Sequence, residues 1–497
     1  MLDDYISIHH IHRKNTEDLG SSSEEEDFKE ETPQIQIETH SCGTDQASEA
    51  GVDYNLDHDD DDIIPAGEPH VIVIGGGPAG ILMAIILRQR GIRVTVLEKM
   101  ETQDKWSSRS YSINLNQRGR NALFKAGVLD EVIEVSAQRY EIVVHDGITG
   151  KMTTIIPKYP PDVAVSRPDL TWALEQVLME KYNTKVKRGA RVNDFVLKRP
   201  DDMVEVVLKD GKSFVGTHLV GADGKWSTVR DSIPYFRQQA FLRSEPCWGV
   251  HMTAPELPPK WTKGSTVIFR PRKDAMFYVI CAPLPSGKCS ITMVCYDETL
   301  QRYPWLAPPI DSQKSWTSEQ WKLDSKPSKA DLNNGDAELS LNLEELFLME
   351  LPAFLDAGID RRTLRTARIH PRVSWLDMNL PMQTTNNSST TKNLARDESC
   401  LFGEARYSTP GGGVALVGDS CHACTASLGQ GCNLALDSAV ALGDAIDECS
   451  VGTPSNRNKI SSNDLSLAFA NYGRTRPEVV RPIQAASEAA SKNSHKW

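Results

Sequence analysis

The strongest constraint on the fold of this chain is the segment HVIVIGGGPAGILMAIILRQRGIRVTVLEK, at residues 70–99. A β-branched run, a glycine-rich turn, a helix-forming stretch and a second β-branched run follow one another within about 30 residues. A strand that is apolar at successive positions is buried on both faces, as in a parallel sheet that helices cover on each side. The segment therefore predicts a βαβ unit of an α/β domain.

Three glycines in this turn have the spacing of a dinucleotide-binding loop, Gly75-x-Gly77-x-x-Gly80. The first permits the tight turn, the second lets a pyrophosphate approach the backbone, and the third lets the helix pack on the strand. Glu98 ends the next strand, where an acidic side chain accepts hydrogen bonds from ribose hydroxyls. Because a carboxylate there disfavours a 2′-phosphate, the site is predicted to prefer FAD or NAD to NADP.

Two later segments place polar residues directly after short apolar strands. LVGADGKWSTVRDSI, at 219–233, carries Asp223, and VALVGDSCHACTASLGQGCN, at 414–433, carries Asp419. Open α/β sheets bind ligands at the carboxyl ends of their strands, so both aspartates are candidate binding residues. Gly431 opens a predicted long helix, and the N-terminus of a helix stabilises negative charge.

Together these three segments resemble the fingerprints of the class A flavoprotein monooxygenases, the aromatic hydroxylase family. The patterns GxDGxxSxVR and GD-x₉-GQGxN follow the glycine-rich turn in the order that the family shows. Two more segments, SRSYSINLNQRGRNALFKAGVLDEV (108–132) and VAVSRPDLTWAL (163–174), resemble the kynurenine 3-monooxygenase-like members.

The resemblance implies roles for individual residues in binding FAD. The glycine-rich turn and the acid after it would hold the ADP half, two arginines would lie near the flavin or its ribityl chain, and the later aspartates would contact the pyrophosphate and the ribityl hydroxyls. The start of the last long helix would face the pyrimidine edge of the flavin. The implied cofactor-binding residues are Gly75, Gly77, Gly80, Glu98, Arg109, Arg167, Asp223, Asp419, Gly431, Cys432 and Asn433, and the implied substrate contact is Tyr159.

The activity that the resemblance implies is hydroxylation of a small aromatic or other electron-rich substrate. NAD(P)H would reduce FAD, and O₂ would then form a flavin C4a-hydroperoxide that delivers one oxygen atom. The flavin carries this chemistry, so no catalytic side chain and no metal are expected. Two alternatives stay open: an FAD-dependent epoxidase or reductase acting on a lipid or isoprenoid, and a flavin-binding redox sensor without hydroxylase activity. Ala426, where the family usually has proline, would be a sign of the latter.

Cys421-His422-Ala423-Cys424 could instead be a metal clip or a redox dithiol. A structural zinc site needs four ligands, commonly two such pairs, and the sequence has no second pair. A thioredoxin-like dithiol opens a helix after a strand, a position that Gly418 and Asp419 occupy here. The two cysteines are therefore predicted to be incidental to the function.

The order of these elements predicts an α/β protein. A Rossmann-like FAD-binding domain, built on a doubly wound parallel sheet, would contain an inserted substrate domain with an antiparallel sheet. We expect a disordered acidic tail at 1–67, the first part of the FAD-binding domain at 68–235 with a small substrate-side segment near 135–162, the substrate domain at 236–385, a flexible loop at 386–411, and the second part of the FAD-binding domain with a C-terminal helix at 412–497.

Charge is divided unevenly along the chain. Residues 1–68 hold 20 of the 67 acidic residues and 3 of the 55 basic ones. Such like-charge runs with few aromatic residues stay solvated, and this tail could dock a basic partner. The N-terminus has no signal-peptide pattern, and the longest apolar run, ILMAIIL, is too short to span a bilayer. A soluble cytoplasmic enzyme with reduced cysteines and no nucleic-acid partner is therefore expected.

Overall fold

The computed structural model of the chain describes residues 68–102, 112–198, 203–259, 261–272, 275–308, 331–370, 372–378, 407–450 and 460–493. All of them belong to one unit of the chain, Tyr54–Trp497. The predicted acidic tail and nearly all of the predicted flexible loop lie outside the described residues.

The elements below are those of the described residues. The strands are β1 (His70–Ile74), β2 (Arg93–Glu98), β3 (Ser112–Leu115), β4 (Ala137–Asp146), β5 (Met152–Ser166), β6 (Val186–Arg188), β7 (Val192–Lys198), β8 (Met203–Leu208), β9 (Ser213–Gly216), β10 (His218–Gly221), β11 (Phe241–Ser244), β12 (Cys247–Ala254), β13 (Ser265–Arg270), β14 (Phe277–Pro283), β15 (Cys289–Tyr296), β16 (Arg368–Ile369), β17 (Ser374–Asp377) and β18 (Val414–Leu416). The helices are α1 (Pro78–Gln89), α2 (Gln117–Lys125), α3 (Leu129–Glu134), α4 (Arg167–Tyr182), α5 (Thr228–Ser232), α6 (Pro234–Arg237), α7 (Thr299–Arg302), α8 (Asp331–Glu350), α9 (Pro352–Asp356), α10 (Arg361–Leu364), α11 (Asp419–His422), α12 (Gly431–Cys449) and α13 (Ser462–Asn493), with 3₁₀ turns at Pro304–Leu306 and Ala426–Leu428.

The first sheet is parallel and has the order β18–β10–β1–β2–β6. All five residues of β1 are buried, because helix α1 packs against β1 and β2 with α4 and α12 packed on α1, and β9 contacts β1. The βαβ prediction is therefore confirmed. Strands β10 and β18 come from distant parts of the chain. Strand β10 pairs with β1 and β18 pairs with β10, all in parallel, so the turns that follow these three strands meet at one edge of the sheet.

The second sheet has eight strands in the order β16–β12–β15–β14–β13–β4–β5–β3. Its pairs are antiparallel except for the parallel pair of β13 and β4. Alternate residues of β12 to β15 form a second buried core with side chains of α8, α9 and α10, separate from the core around the parallel sheet. The predicted combination of a parallel sheet with an antiparallel one is therefore confirmed.

Smaller features complete the fold. Strands β7, β8 and β9 form a three-stranded sheet, and β11 pairs with β17. Residues 331–356 form two helices, because Pro352 disfavours the helical conformation at Leu351 and α8 ends one residue earlier. Among the described residues, none of the helices has the length and apolar character needed to cross a membrane.

Candidate cofactor-binding site

The glycine-rich turn is fixed by two close backbone contacts. Gly75 has a φ of +112°, and a Cβ there would lie 2.3 Å from the carbonyl oxygen of Ala222. A Cβ on Gly80 would lie 1.9 Å from the carbonyl oxygen of Gly75. Gly77 differs, because its φ is −84° and a Cβ on it would meet only the Arg167 guanidinium, at 3.7 Å. Gly75 and Gly80 thus serve packing, whereas Gly77 leaves space open at the start of α1.

Glu98 braces this turn from the end of β2. Its Oε2 accepts the backbone N–H of Gly76 at 2.7 Å, and its Oε1 accepts that of Met100 at 2.8 Å. The side chain is 5% exposed. A carboxylate has about four acceptor positions, so Glu98 keeps the capacity to accept hydroxyl groups of a bound ligand.

Asp223 lies at the end of β10 and caps the short helix α5. Its Oδ2 accepts the backbone N–H groups of Thr228 and Val229, at 2.6 and 3.2 Å. Its Oδ1 is buried and has no hydrogen-bond partner among the described residues. Burial raises the pKa of Asp223, and a hydrogen bond from Ser227 acts against that rise. A buried oxygen without a partner is costly, so Oδ1 fits a position where a ligand or water donates.

Arg230 ties the second and third sequence motifs together. Its guanidinium is almost fully buried and donates to the carbonyl oxygens of Lys225, at 2.9 Å, and Ser420, at 3.1 Å. The Ser420 hydroxyl donates in turn to the carbonyl oxygen of Gly221 at 2.7 Å. The two aspartate-bearing turns are therefore held side by side by buried hydrogen bonds.

Asp419 follows β18 and reaches solvent in the cleft between these turns. Desolvation within the cleft raises the pKa of its carboxyl group, and the positive charges of Arg167 and Lys225 oppose that rise. Lys225 donates to the Ser374 hydroxyl at 2.7 Å and so connects the cleft to β17. Lys225 was not among the residues predicted from the sequence. Its position two residues after Asp223 was the one feature of the sequence that could have indicated a place in the cleft.

The third motif ends in the N-terminus of α12. Gly429 has a φ of +61°, and a Cβ on either Gly429 or Gly431 would meet no other atom within 4 Å. The N-cap, Gln430, makes no side-chain cap hydrogen bond. The first N–H groups of a helix carry partial positive charge, so this open end fits an electron-rich or negatively charged group.

The Asn433 side chain belongs to the protein scaffold. Its Nδ2 donates to the carbonyl oxygens of Asn114 and Gly429, each at 2.8 Å, and its Oδ1 accepts the N–H of Asn116 at 3.0 Å. A Cβ on Gly119 would lie 2.1 Å from this Oδ1, so residue 119 has no room for a side chain. Asn433 therefore positions the start of α12 against β3, and only its backbone is left to face a ligand.

Four predicted site residues remain, and they are Arg167, Cys432, Tyr159 and Arg109. Arg167 is exposed at the first position of α4, beside Gly77. Cys432 is half-buried at the start of α12, where burial raises the pKa of its thiol to about 12. Tyr159 is 98% exposed on β5, and no described residue forms a hydrogen bond with it. Arg109 lies outside the described residues.

The Cys-x-x-Cys segment packs behind the cleft. The Cys421 thiol is fully buried and donates to the carbonyl oxygens of Leu416 and Gly418, each at 3.3 Å. His422 is also fully buried, and burial lowers its pKa to about 3. Burial raises the pKa of Cys424 to about 12. Within the described ranges, no group of three or more His, Cys, Asp or Glu residues could hold a metal ion.

We expect Cys421 and Cys424 to resist alkylation in the native protein. A thiol reacts as its thiolate, and the raised pKa values leave both thiols protonated at pH 8. Native protein treated with iodoacetamide should carry the label on neither cysteine by peptide mass spectrometry, whereas protein unfolded in urea should carry it on both. Rapid labelling of Cys424 in the native protein would revive the redox-dithiol interpretation.

Comparison with known proteins identifies the family. Residues 68–334 match the family model described as "FAD binding domain". A zeaxanthin epoxidase from Oryza sativa subsp. japonica is 31% identical over 175 residues, which are 33% of this chain and 26% of that protein. The FAD-dependent monooxygenase atnJ of Arthrinium sp. is 24% identical over 436 residues, 86% of this chain and 85% of that protein.

Solved structures show the same fold. Klebsiella pneumoniae HpxO complexed with FAD and uric acid superposes with a TM-score of 0.58 at 19% identity, over 86% of this chain and 89% of that one. The chain spans about a quarter of the length of the plant epoxidase, so the family assignment rests on the matched model. This chain belongs to the FAD binding domain family, among the class A flavin monooxygenases.

Proposed function

We propose that the protein is an FAD-dependent monooxygenase that uses NAD(P)H and O₂ to hydroxylate a small aromatic or other electron-rich substrate. The observation that carries the proposal is the meeting of three turns at one edge of the parallel sheet. The glycine-rich turn, Asp223 with its unpaired Oδ1, and Asp419 beside an uncapped helix start lie around one cleft. The N–H groups at the glycine-rich turn match the diphosphate, the carboxylate oxygens match groups that donate hydrogen bonds, such as the ribityl hydroxyls, and the helix start matches the flavin ring, which gains negative charge on reduction.

In this proposal each part of the cleft holds one part of FAD. Gly75, Gly77, Gly80 and Glu98 bind the ADP half, and Asp223 braces the diphosphate through a water molecule that donates to both, because a carboxylate and a diphosphate only accept hydrogen bonds. Asp419 accepts hydrogen bonds from the ribityl hydroxyls, Arg167 and Arg109 lie near the flavin, and the N–H groups of Gly431, Cys432 and Asn433 face the pyrimidine edge. When bound, FAD supplies the redox chemistry: it accepts a hydride equivalent and passes electrons to oxygen.

The chain itself orients the cofactor. Arg230 fixes the two aspartate turns relative to each other, and Asn433 fixes the helix start, so both groups are in place before a ligand arrives. Such preorganised dipoles stabilise negative charge without reorganising. Residues 68–235 and 412–497 would form the FAD-binding domain and 236–385 the substrate domain, which the two separate buried cores support.

The finer assignments are also proposals. Resemblance of the segments at 108–132 and 163–174 supports a kynurenine 3-monooxygenase-like member, with Tyr159 as a substrate contact. The acidic composition of the tail supports docking to a basic partner, and the sequence pattern supports a cytoplasmic location. Epoxidation is the second candidate reaction, because relatives named zeaxanthin epoxidase are 30% and 31% identical over a third of the chain.

Reconstitution tests the proposed function directly. Purified protein loaded with FAD should oxidise NADH or NADPH faster when a suitable aromatic compound is present, and the product should carry one oxygen atom from ¹⁸O₂ by mass spectrometry. Protein that binds FAD but transfers no ¹⁸O to any aromatic or isoprenoid compound would favour the redox-sensor alternative. Protein that cannot be loaded with FAD would contradict the proposal altogether.

An Asp419→Ala variant addresses the cofactor contact. We expect its FAD dissociation constant to rise about tenfold or more, because one charged hydrogen-bond acceptor in the cleft is lost. The residue is exposed, so the thermal stability of the FAD-free variant should stay within about 1 kcal/mol of that of the parent protein. Unchanged FAD affinity in a fluorescence titration would show that Asp419 does not contact the cofactor.

A further inference from the structure

The eight-stranded sheet has one face packed by helices α8 to α10. On the other face, among the described residues, the end of α13 contacts Cys247 at the start of β12, and Gly249 and His251 lie beyond that contact. Alternation along β12 buries Trp248, Val250 and Met252 in the second core, so Gly249 and His251 point the other way. We define the open sheet face as Gly249, His251, Thr292, Val294, Ile280 and Ile268. These residues belong to neither buried core and are all half-buried.

Strand register makes the open sheet face continuous. His251 pairs with Thr292, Thr292 with Ile280, and Ile280 with Ile268 across four adjacent strands. Gly249 pairs with Val294, and Val294 with Tyr278, in the neighbouring row. The face is therefore a mainly apolar platform, with polar side chains at its β12 end and at Tyr278.

His251 has one ring nitrogen engaged and one available. Its Nδ1 and the Thr292 hydroxyl are 2.8 Å apart and share a hydrogen bond. Its Nε2 makes no hydrogen bond with any described residue. The residue is half-buried. A Cβ on Gly249 would lie 3.4 Å from this Nε2. The absence of a side chain at Gly249 therefore leaves a hollow directly in front of the free nitrogen.

The ring is neutral under ordinary conditions. Burial and the neighbouring His370, whose ring centroid lies 4.5 Å away, lower the pKa of His251 to about 4. A neutral imidazole has one donor and one acceptor nitrogen, and the Thr292 hydroxyl can pair with either form of Nδ1. Nε2 thus offers a hydrogen bond to a neutral polar group and adds no charge to the open sheet face.

The β12 end of the platform lies near the cofactor cleft. The backbone N–H of His370 donates to the carbonyl oxygen of Gly249 at 2.9 Å. Ser374 lies four residues after His370, and its hydroxyl accepts a hydrogen bond from the Lys225 ammonium group at 2.7 Å. Four residues span at most about 14 Å when fully extended. The β12 end of the platform is therefore joined to a residue of the cleft by this short segment of the chain.

We propose that His251 is a substrate-recognition residue, whose Nε2 hydrogen-bonds a hydroxyl, carbonyl or ring nitrogen of a neutral substrate with an apolar ring system on Val294 and the near side of Ile280. The proposal rests on the monooxygenase function proposed above and narrows its substrate class. A ring compound with a neutral polar group fits this face, whereas an unfunctionalised hydrocarbon would leave the nitrogen unpaired. A buried polar group without a partner disfavours such a ligand.

Two conservative variants separate recognition from folding. His251→Asn places an amide where Nδ1 lies, so it keeps the bond to Thr292 and removes the group at Nε2. His251→Gln places its amide near Nε2 and so retains the recognition group. Gly249→Ala adds a methyl group that makes ordinary contacts with His251 and Thr292, which fills the hollow without straining the strand.

The probes are 2-naphthol, quinoline and naphthalene, which share a two-ring body and differ in the polar group. Binding is measured by perturbation of the flavin spectrum in the FAD-loaded protein. We expect the parent protein to bind 2-naphthol or quinoline about tenfold more tightly than naphthalene, the size of one neutral hydrogen bond. His251→Asn should lose this preference, His251→Gln should keep it, and Gly249→Ala should weaken the binding of all three.

The proposal is overturned if His251→Asn keeps the preference of the parent protein, or if the parent protein binds none of the probes or binds them equally. FAD affinity and probe-free NAD(P)H oxidation, recorded on the same samples, separate the two levels of inference. If FAD affinity and probe-free NAD(P)H oxidation are normal and His251→Asn does not change the preference among the probes, the proposed role of His251 is refuted. The proposed monooxygenase function is then unaffected. Failure to bind FAD would remove the proposed function itself.

Discussion

Replacing Gly80 with alanine is expected to destabilise the protein by more than about 3 kcal/mol, a loss that is exceptional for the addition of one methyl group. The new Cβ would lie 1.9 Å from the carbonyl oxygen of Gly75, and the contacted atom is backbone that cannot rotate away. Helix α1 would have to move off β1, at the centre of the parallel sheet. Thermal unfolding followed by circular dichroism measures the effect without any cofactor.

Gly77→Ala is the matched control for this prediction. Its Cβ would lie 3.7 Å from the Arg167 guanidinium, an ordinary contact with the end of a flexible side chain. We expect its stability to stay within about 1 kcal/mol of the parent protein, while FAD affinity falls because the added methyl group occupies the approach to the helix start. Equal destabilisation by both substitutions would show that the two glycines have the same role.

Asn433→Ala should cost about 3 kcal/mol of stability, the second large effect. The substitution leaves the carbonyl oxygens of Asn114 and Gly429 and the N–H of Asn116 without their partner, and unpaired buried groups cost about 1–3 kcal/mol each. Water that enters the space offsets part of the loss. Urea unfolding of the FAD-free protein measures the change.

The neighbouring Cys432→Ala provides the comparison. This half-buried thiol takes no part in the hydrogen bonds between α12 and β3, so its removal should change stability by less than about 1 kcal/mol. If Asn433→Ala lowered FAD affinity and left the stability of the FAD-free protein unchanged, its side chain would be a cofactor contact and its scaffold role would be refuted.

Much of the fold could be predicted because its signals are local. The β-branched run before Gly75 and the acid at Glu98 lie within one βαβ unit, where spacing alone fixes the geometry. The polar residues Asp223 and Asp419 follow short apolar strands, and parallel strands end at a common edge. Their meeting at one cleft therefore followed from the α/β prediction, together with the family resemblance.

The remainder depends on contacts between distant segments, which residue spacing does not reveal. Asn433 matches a family position, yet its hydrogen bonds go to Asn114 and Asn116, more than 300 residues away. Lys225 becomes part of the cleft only when β10 and β18 pair. His251 looks like any polar residue of an alternating strand until register places it beside Thr292 and behind the empty position of Gly249.

The pairing of β10 with β18 also determines how late in synthesis the parallel sheet can be fully assembled. Ser420, which closes the hydrogen bonds between the two turns, is 199 residues beyond its acceptor Gly221. A ribosome that adds about 5–20 residues per second needs roughly 10–40 s to cover that interval. During this time the edge of β10 that pairs with β18 in the folded protein has no partner strand. Arg230 likewise lacks the Ser420 carbonyl oxygen to which it donates in the folded protein. Cofactor loading is therefore a late event in the life of each new chain, and chaperones that shield strand edges have a defined window in which to act.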